Sequence, residues 1–219
     1  MADPKDEKPV ASKELGGKGD KKKDDAELSE EDYVLQTHME LLVSRTSNPE
    51  LCLNALETMV SEVRTSTSSM TSVPKPLKFL RPHFVTLKAN YESLAAGPAK
   101  TMLADVLSLL AMTMGEDGRR ESLNYKLLGS RGDLGSWGHE YVRHLSGEIG
   151  AEYIDRLADE AEKTRVAAEG GDGDAVIIDA SDTKSPDELM PLILSQIIPF
   201  FMKHNAEAEA IDLLVEVRA

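Results

Sequence analysis

Apolar residues separated by three or four positions recur along most of this chain, and this spacing is the feature that most constrains its fold. Leu35, Met39 and Leu42 follow it, and so does the apolar stripe between Leu103 and Met114. Such a period matches the turn of an α-helix and not the alternation of a strand. The 4 Phe, 5 Tyr and 1 Trp are also few for a β-sandwich or a β-barrel. The sequence therefore predicts an all-α protein.

Residues typical of helix starts divide this pattern into separate helices. Ser29 stands before an acidic first turn, Asn48 stands before a proline, and Ser185 stands before a Pro-Asp-Glu triplet. Ser and Asn cap helix N-termini, and Pro is favoured at the first helical position. The predicted pairs of helices recur at intervals of about 40 residues, which is the range of HEAT-like repeats. We therefore expect antiparallel helical hairpins in a HEAT-like α-solenoid.

The C-terminal half of the pattern predicts two further helices. A long helix is expected from about Asp133 to Lys163, and the glycines of residues 129–138 predict a turn and a close contact near Trp137. Asn205 is the expected N-cap of the final helix. No helix-stop signal follows that helix, so we expect the chain to be part of a longer protein. The predicted apolar face of the final helix, expected to be partly exposed in the isolated chain, comprises Ile211, Leu214 and Val215.

Changes in composition predict four regions. Residues 1–28 hold seven Lys and eight acidic residues but few apolar ones, and we expect a disordered charged tail. Residues 29–168 are expected to form the α-helical solenoid region. Residues 169–184 are rich in Gly and Asp and predict a flexible acidic loop. Residues 185–219 predict a helical hairpin that continues the solenoid and is truncated at its end.

Charge and apolar content argue against two classes of partner. The 25 Lys+Arg and 39 Asp+Glu give a net charge of −14, and a nucleic-acid binder needs a basic surface, so no nucleic acid is expected. No apolar run reaches the about 20 residues of a membrane helix, so no membrane is expected either. The single cysteine, Cys52, rules out an internal disulfide and is expected to be a buried structural thiol. A cytoplasmic and nuclear location is therefore expected.

No pattern in the sequence predicts catalysis, a cofactor or a metal site. His139 and His144 flank a glutamate, but they are five positions apart in sequence. Five positions correspond to about 140° around a helix, whereas a zinc-protease helix stacks two histidines four positions apart. We therefore expect no enzyme. A hydrolase or metal enzyme that uses His139, Glu140 and His144 stays as an alternative, which stoichiometric zinc in the purified protein would favour.

One basic segment interrupts the acidic sequence. Between Val63 and Tyr91 there is no Asp or Glu. Cations concentrated in an acidic protein predict a docking surface for an acidic partner, by charge complementarity. The alternative, which the sequence supports equally, is that these cations pair with carboxylates of the same chain. The candidate docking patch consists of Lys75, Lys78, Arg81, His83 and Lys88.

Several strings of residues resemble those of a known family. The longest is SSMTSVPKPLKFLRPH at residues 68–83, and SWGHEYVRHL stands at residues 136–145. Shorter ones are LSEED at residues 28–32, and MKHNAE and DLL within residues 202–214. In this order they resemble the N-terminal region of the non-ATPase regulatory subunit 2 family, the larger scaffold subunits in the base of the 26S proteasome regulatory particle. The resemblance covers most of residues 28–165 and 185–219.

The resemblance implies a non-catalytic scaffold subunit that supports ATP-dependent degradation of ubiquitinated proteins. In this family an α-solenoid with a toroid of helical repeats sits beside the ATPase ring. The implied partners are the proteasomal ATPase ring subunits, other regulatory-particle subunits and, through the toroid, ubiquitin and ubiquitin-like domain proteins. The toroid would follow residue 219, so none of its binding sites is assigned to a residue of this chain. The alternative is an unrelated helical-repeat adaptor protein.

Overall fold

All regular secondary structure in the described part of the chain is helical. The computed structural model describes residues 29–67, 73–114, 119–169 and 185–217. Within these ranges the all-α prediction is confirmed. The expected tail at residues 1–28 lies outside the described residues, as does all of the expected loop at residues 169–184 after its first residue.

The first two helices are α1 (Glu30–Arg45) and α2 (Pro49–Ser66), and they pack against each other. Both predicted caps are confirmed, because Ser29 Oγ accepts a hydrogen bond from the Asp32 backbone N–H at 3.1 Å and Asn48 Oδ1 accepts one from Glu50 N–H at 3.0 Å. Each cap satisfies a backbone donor that the first helical turn leaves unpaired. Cys52 is buried on α2, as predicted, and burial raises the pKa of its thiol.

The basic segment folds as α3 (Lys75–Leu80), a 3₁₀ turn (Arg81–His83) and α4 (Phe84–Ser93). Helix α3 packs on α1 and α2 with Pro76, Leu77 and Leu80 buried. A helix that buries one face presents the opposite face to solvent, so the segment keeps its cations on the outside of the molecule.

Helix α5 (Pro98–Met112) forms the centre of the core and contacts α2, α3, α4 and α7 as well as α6 (Glu121–Leu128). All eight residues at positions 103–110 are buried, including Asp105 and Ser108. Helix α5 is therefore covered on more than one side. The buried polar side chains find partners there, since Ser108 Oγ donates to the Ser122 carbonyl at 2.6 Å and lies 2.7 Å from the Tyr141 hydroxyl.

The long helix begins later than predicted. It is α7 (His139–Glu169), and a separate 3₁₀ turn (Leu134–Trp137) precedes it. Gly138 divides the two at φ 94°, in a region that side chains other than glycine disfavour. Asp133, the predicted helix start, instead caps the 3₁₀ turn by accepting from the Gly135 N–H at 3.1 Å. The predicted close contact is confirmed, because a Cβ at Gly138 would lie 2.5 Å from Thr67 Cγ2.

The C-terminal region starts at the predicted cap, Ser185, which accepts from Asp187 N–H at 3.3 Å. A 3₁₀ turn (Pro186–Glu188) leads into α8 (Met190–Leu192), a π-helical segment (Ile193–Ile197) and α9 (Ile198–Lys203). Pro199 has no N–H for the carbonyl four residues earlier, and the wider π turn accommodates it. Pro199 therefore lies within α9 and does not end the helical run.

The last described helix, α10 (Glu207–Glu216), differs from the prediction in its N-cap. Ala206 occupies the N-cap without a side-chain bond, whereas Asn205 lies at φ 54° in the turn after α9. Ala210 and Leu213 are buried because α10 rests on α7 and α9 through that side. The expected partial exposure of the predicted apolar face is confirmed: Leu214 is half-buried, Ile211 is 58% exposed and Val215 is 70% exposed.

Candidate docking surface

The candidate docking patch is spread over three consecutive elements. Lys75 and Lys78 lie on α3, Arg81 and His83 lie in the following 3₁₀ turn, and Lys88 lies on α4. Helices α3 and α4 each bury one side against the core, and Lys75 and Lys78 lie on the exposed side of α3. The structure therefore brings the predicted residues to one continuous stretch of surface chain, but it gives them different surroundings.

Lys75 is engaged within the chain. Its Nζ donates to Asp32 Oδ1 of α1 at 2.8 Å. This hydrogen bond is the main cause that lowers the pKa of Asp32, and charge attraction from Lys75 and Lys78 acts in the same direction. It also raises the pKa of Lys75. Because the pair is exposed, it contributes little to stability, but it orients Lys75 toward α1.

Lys88 is engaged more closely. Its Nζ donates to Glu121 Oε1 of α6 at 2.6 Å, and this bond is the main cause that raises the pKa of Lys88. The same ammonium group lies 5.9 Å from the ring centroids of both Phe84 and Tyr125, within cation–π range. Lys88 therefore helps to join α4 to α6.

Lys78 and Arg81 differ from these two cations. Both are exposed, and neither makes a hydrogen bond or an ion pair with any residue within the described ranges. They stand three positions apart at the end of α3, so their side chains lie on neighbouring turns of the same face. His83 is half-buried beside them in sequence. The sequence left open whether these cations face a partner or pair within the chain. In the structure Lys75 and Lys88 pair within the chain, whereas Lys78 and Arg81 form no ion pair with a described residue.

The histidines considered for a metal site contact different groups. The His139 ring packs against Phe200 and Phe201, with centroids 5.6 and 5.9 Å away. His144 Nε2 instead lies 3.0 Å from Glu148 Oε1 on its own helix. In the ranges that the structure covers, no group of three or more His, Cys, Asp or Glu side chains is arranged to hold a metal ion. None of the described helices has the length and apolar character to cross a bilayer.

Sequence reasoning missed one surface feature. A cleft of about 490 Å³ lies between the connection at residues 131–136 and the π-helical and α9 segments, and Arg131 and Lys203 both line it. The two cations are far apart in sequence, and neither belongs to a charged run. Their segments meet through the packing of Phe200 against Gly135, where a Cβ would meet the ring at 2.8 Å, and through a hydrogen bond from Leu134 N–H to Gln196. No local sequence pattern signals this contact.

Comparison with known proteins gives a consistent family. Residues 38–219 match the family described as RPN1 N-terminal domain. The chain is 52% identical over 190 residues to "26S proteasome non-ATPase regulatory subunit 2 homolog A" of Arabidopsis thaliana, covering 86% of this chain and 19% of the relative. It is 48% identical over 192 residues to "26S proteasome non-ATPase regulatory subunit 2" of Dictyostelium discoideum, covering 87% and 19%. It is 46% identical over 195 residues to "26S proteasome regulatory subunit rpn1" of Schizosaccharomyces pombe, covering 88% and 19%. The chain thus spans about a fifth of the length of these relatives.

Proposed function

The chain belongs to the RPN1 N-terminal domain family, and from this premise we propose that it is part of a non-catalytic scaffold subunit in the base of the 26S proteasome regulatory particle. Relatives that are named as non-ATPase or regulatory subunits support the proposal. Membership of the family removes the alternative of an unrelated helical-repeat adaptor. The proposed location is the cytoplasm and the nucleus, and the proposed role is to support ATP-dependent degradation of ubiquitinated proteins.

The proposed activity of this part of the subunit is anchoring to the proteasomal ATPase ring and to other regulatory-particle subunits. One observation carries it: Lys78 and Arg81 are exposed on one face and make no ion pair within the described residues, although the chain has a net charge of −14. Lys78 attracts Asp32 at longer range, but cations that form no ion pair with the described carboxylates of an acidic chain are suited to an acidic patch on another protein. Lys75, His83 and Lys88 border this pair in the proposed patch.

Ubiquitin and ubiquitin-like domain proteins are proposed partners of the longer subunit. No residue of this chain is proposed to bind them, because the corresponding sites of the family lie in its toroid. The described surface of this chain is accordingly proposed to serve assembly, and substrate recognition is proposed for the remainder of the subunit.

The proposal is tested by purifying the tagged 219-residue chain from its own cells at physiological salt. At that ionic strength, charge contacts beyond about 8 Å are screened, so only close contacts persist. Recovery of the proteasomal ATPases in amounts close to that of the chain is the expected result. Recovery of unrelated proteins, with no proteasomal subunit among them, contradicts the assembly role of this region.

A further inference from the structure

A polar cleft lies on the C-terminal part of the molecule, away in sequence from the candidate docking patch. It consists of two adjoining depressions of about 490 and 430 Å³, which share Arg131, Ser195 and Gln196. Pro199 and Phe200 give the first depression an apolar wall, and Arg131 and Lys203 add two cations. Ligand sites are concave and combine apolar walls with a few converging polar groups, and this cleft has both, with a larger polar share than usual.

The cations and the carboxylates of this cleft differ in whether they have partners within the described residues. Arg131 and Lys203 are exposed and make no hydrogen bond or ion pair among the residues that the structure places. The carboxylates that line the two depressions are both engaged: Asp133 accepts from Gly135 N–H, and Glu188 lies 3.4 Å from the Arg156 guanidinium. Among the described residues, Arg131 and Lys203 therefore have no anionic partner, Glu188 is paired with Arg156, and the Asp133 carboxylate is held by a backbone N–H.

The walls of the cleft are held in place by contacts between distant segments. Gln196 Oε1, in the π-helical segment, accepts a hydrogen bond from the Leu134 N–H at 3.2 Å. Gly135 lies so close to Phe200 that a Cβ would come within 2.8 Å of the ring. The His204 ring also stacks on Phe200, with centroids 4.1 Å apart. A site whose walls are fixed in advance loses less entropy when it binds.

We propose that this cleft binds an acidic peptide segment of a partner protein, with its carboxylates at Arg131 and Lys203 and an apolar side chain against Pro199 and Phe200. Arg binds carboxylates in a two-pronged geometry, and Lys adds a second point charge. The π turn supports this assignment, because such turns are frequent at functional sites. The proposal is independent of the anchoring role assigned to Lys78 and Arg81, since it uses different residues on different elements.

The test uses the 219-residue chain and a fluorescein-labelled peptide of sequence DEDLFEDES, with binding followed by fluorescence anisotropy. The comparison peptide NQNLFQNQS replaces every acid by its amide. The chain is expected to bind the acidic peptide at least about tenfold more tightly than the amide peptide. The Arg131→Glu/Lys203→Glu variant is expected to lose that preference. Both side chains are exposed, so the variant is expected to fold, which circular dichroism checks.

A variant with the same change in net charge separates the cleft from the overall charge. Arg45 on α1 and Lys163 on α7 line neither depression, and Arg45→Glu/Lys163→Glu is expected to bind the acidic peptide as the parent chain does. Equal binding of the two peptides by the parent chain overturns the proposal. Equal weakening by both double reversals also overturns it, because the effect would then be one of net charge alone.

Discussion

Lys126 Nζ lies 3.3 Å from Asp105 Oδ1 in the interior of the molecule, and their side chains are 4% and 6% exposed. Both also bind the connection after α6: the Ser130 N–H donates to Asp105, and Lys126 donates to the Ser130 carbonyl at 2.6 Å. Gly129 permits this approach, because a Cβ there would lie 2.3 Å from Asp105 Oδ1. The pair therefore fixes the start of the segment that leads to the cleft.

Removing one member of this pair is expected to be strongly destabilising. Lys126→Met leaves the Asp105 charge buried without its cation, and such changes cost about 3–5 kcal/mol. Urea unfolding measures the loss. The variant Asp105→Asn/Lys126→Met carries no buried charge and keeps an oxygen for Ser130 N–H, so it is expected to recover part of the stability. A Lys126→Met chain within about 0.5 kcal/mol of the parent is incompatible with this account.

Replacing Gly138 is expected to destabilise the fold for two reasons: its φ is positive, and a Cβ there would clash with the Thr67 side chain. Gly138→Ala is expected to lower the free energy of unfolding by about 1–3 kcal/mol. Gly147 provides a matched control, because it lies within α7 with no atom near its would-be Cβ. Gly147→Ala is expected to raise stability by up to about 1 kcal/mol. Thermal unfolding of both variants checks the contrast, and similar effects at the two sites would refute it.

Glu152 is expected to make stability depend on pH in the acid range. Burial raises its pKa, but hydrogen bonds from Arg120 and Arg156 outweigh burial and lower the pKa overall. A group whose pKa is lowered by folding adds stability above its unfolded pKa, about 4.3 for Glu, and this contribution disappears as pH falls through the folded pKa.

The Glu152→Gln variant cannot titrate, so between about pH 5 and pH 3 its free energy of unfolding is expected to fall less than that of the parent. Urea titrations at several pH values measure the difference. Glu57→Gln at an exposed position of α2 removes the same charge and is expected to follow the parent profile. If the Glu152→Gln and parent profiles run parallel throughout, the ion-paired role of Glu152 is wrong.

The buried face of α10 can be tested by replacing one residue at a time on its buried and exposed sides. Leu213→Ala removes a buried side chain and is expected to cost about 2–5 kcal/mol. Ile211→Ser and Val215→Ser act on exposed side chains, and each is expected to change stability by less than about 0.5 kcal/mol. Chemical unfolding of the three variants decides the matter. A large loss of stability at Ile211 or Val215 would contradict the exposure of these two side chains.

Apolar periodicity and N-cap residues predicted several helix starts and buried faces correctly, because these features depend on residues that are close in sequence. Ser29 and Asn48 cap the helices they precede, and the stripe on α5 is buried as its width indicates. The start of α7 was mispredicted because Gly138 adopts a positive φ, and it does so where a Cβ would clash with Thr67 of the preceding part of the fold. Such a contact depends on tertiary packing, which helix propensity does not contain.

The face of α10 and the surroundings of the basic segment needed the structure for a similar reason. Ile211 and Val215 share a helical face, but contact with α7 and α9 selects the opposite one. The sequence identified five candidate docking residues but did not show which of them pair within the chain. Their division depends on Asp32 and Glu121, which lie far from Lys75 and Lys88 in sequence and meet them only in the fold.

The central proposal is that this chain anchors a scaffold subunit to the proteasomal ATPase ring through Lys78 and Arg81. Its most direct test is the affinity of the purified chain for the isolated ATPase ring, measured by biolayer interferometry for the parent, Lys78→Glu/Arg81→Glu and the charge-matched Arg45→Glu/Lys163→Glu. The account predicts that the first variant binds at least about tenfold more weakly and that the second binds as the parent does. Unchanged binding by Lys78→Glu/Arg81→Glu would contradict it.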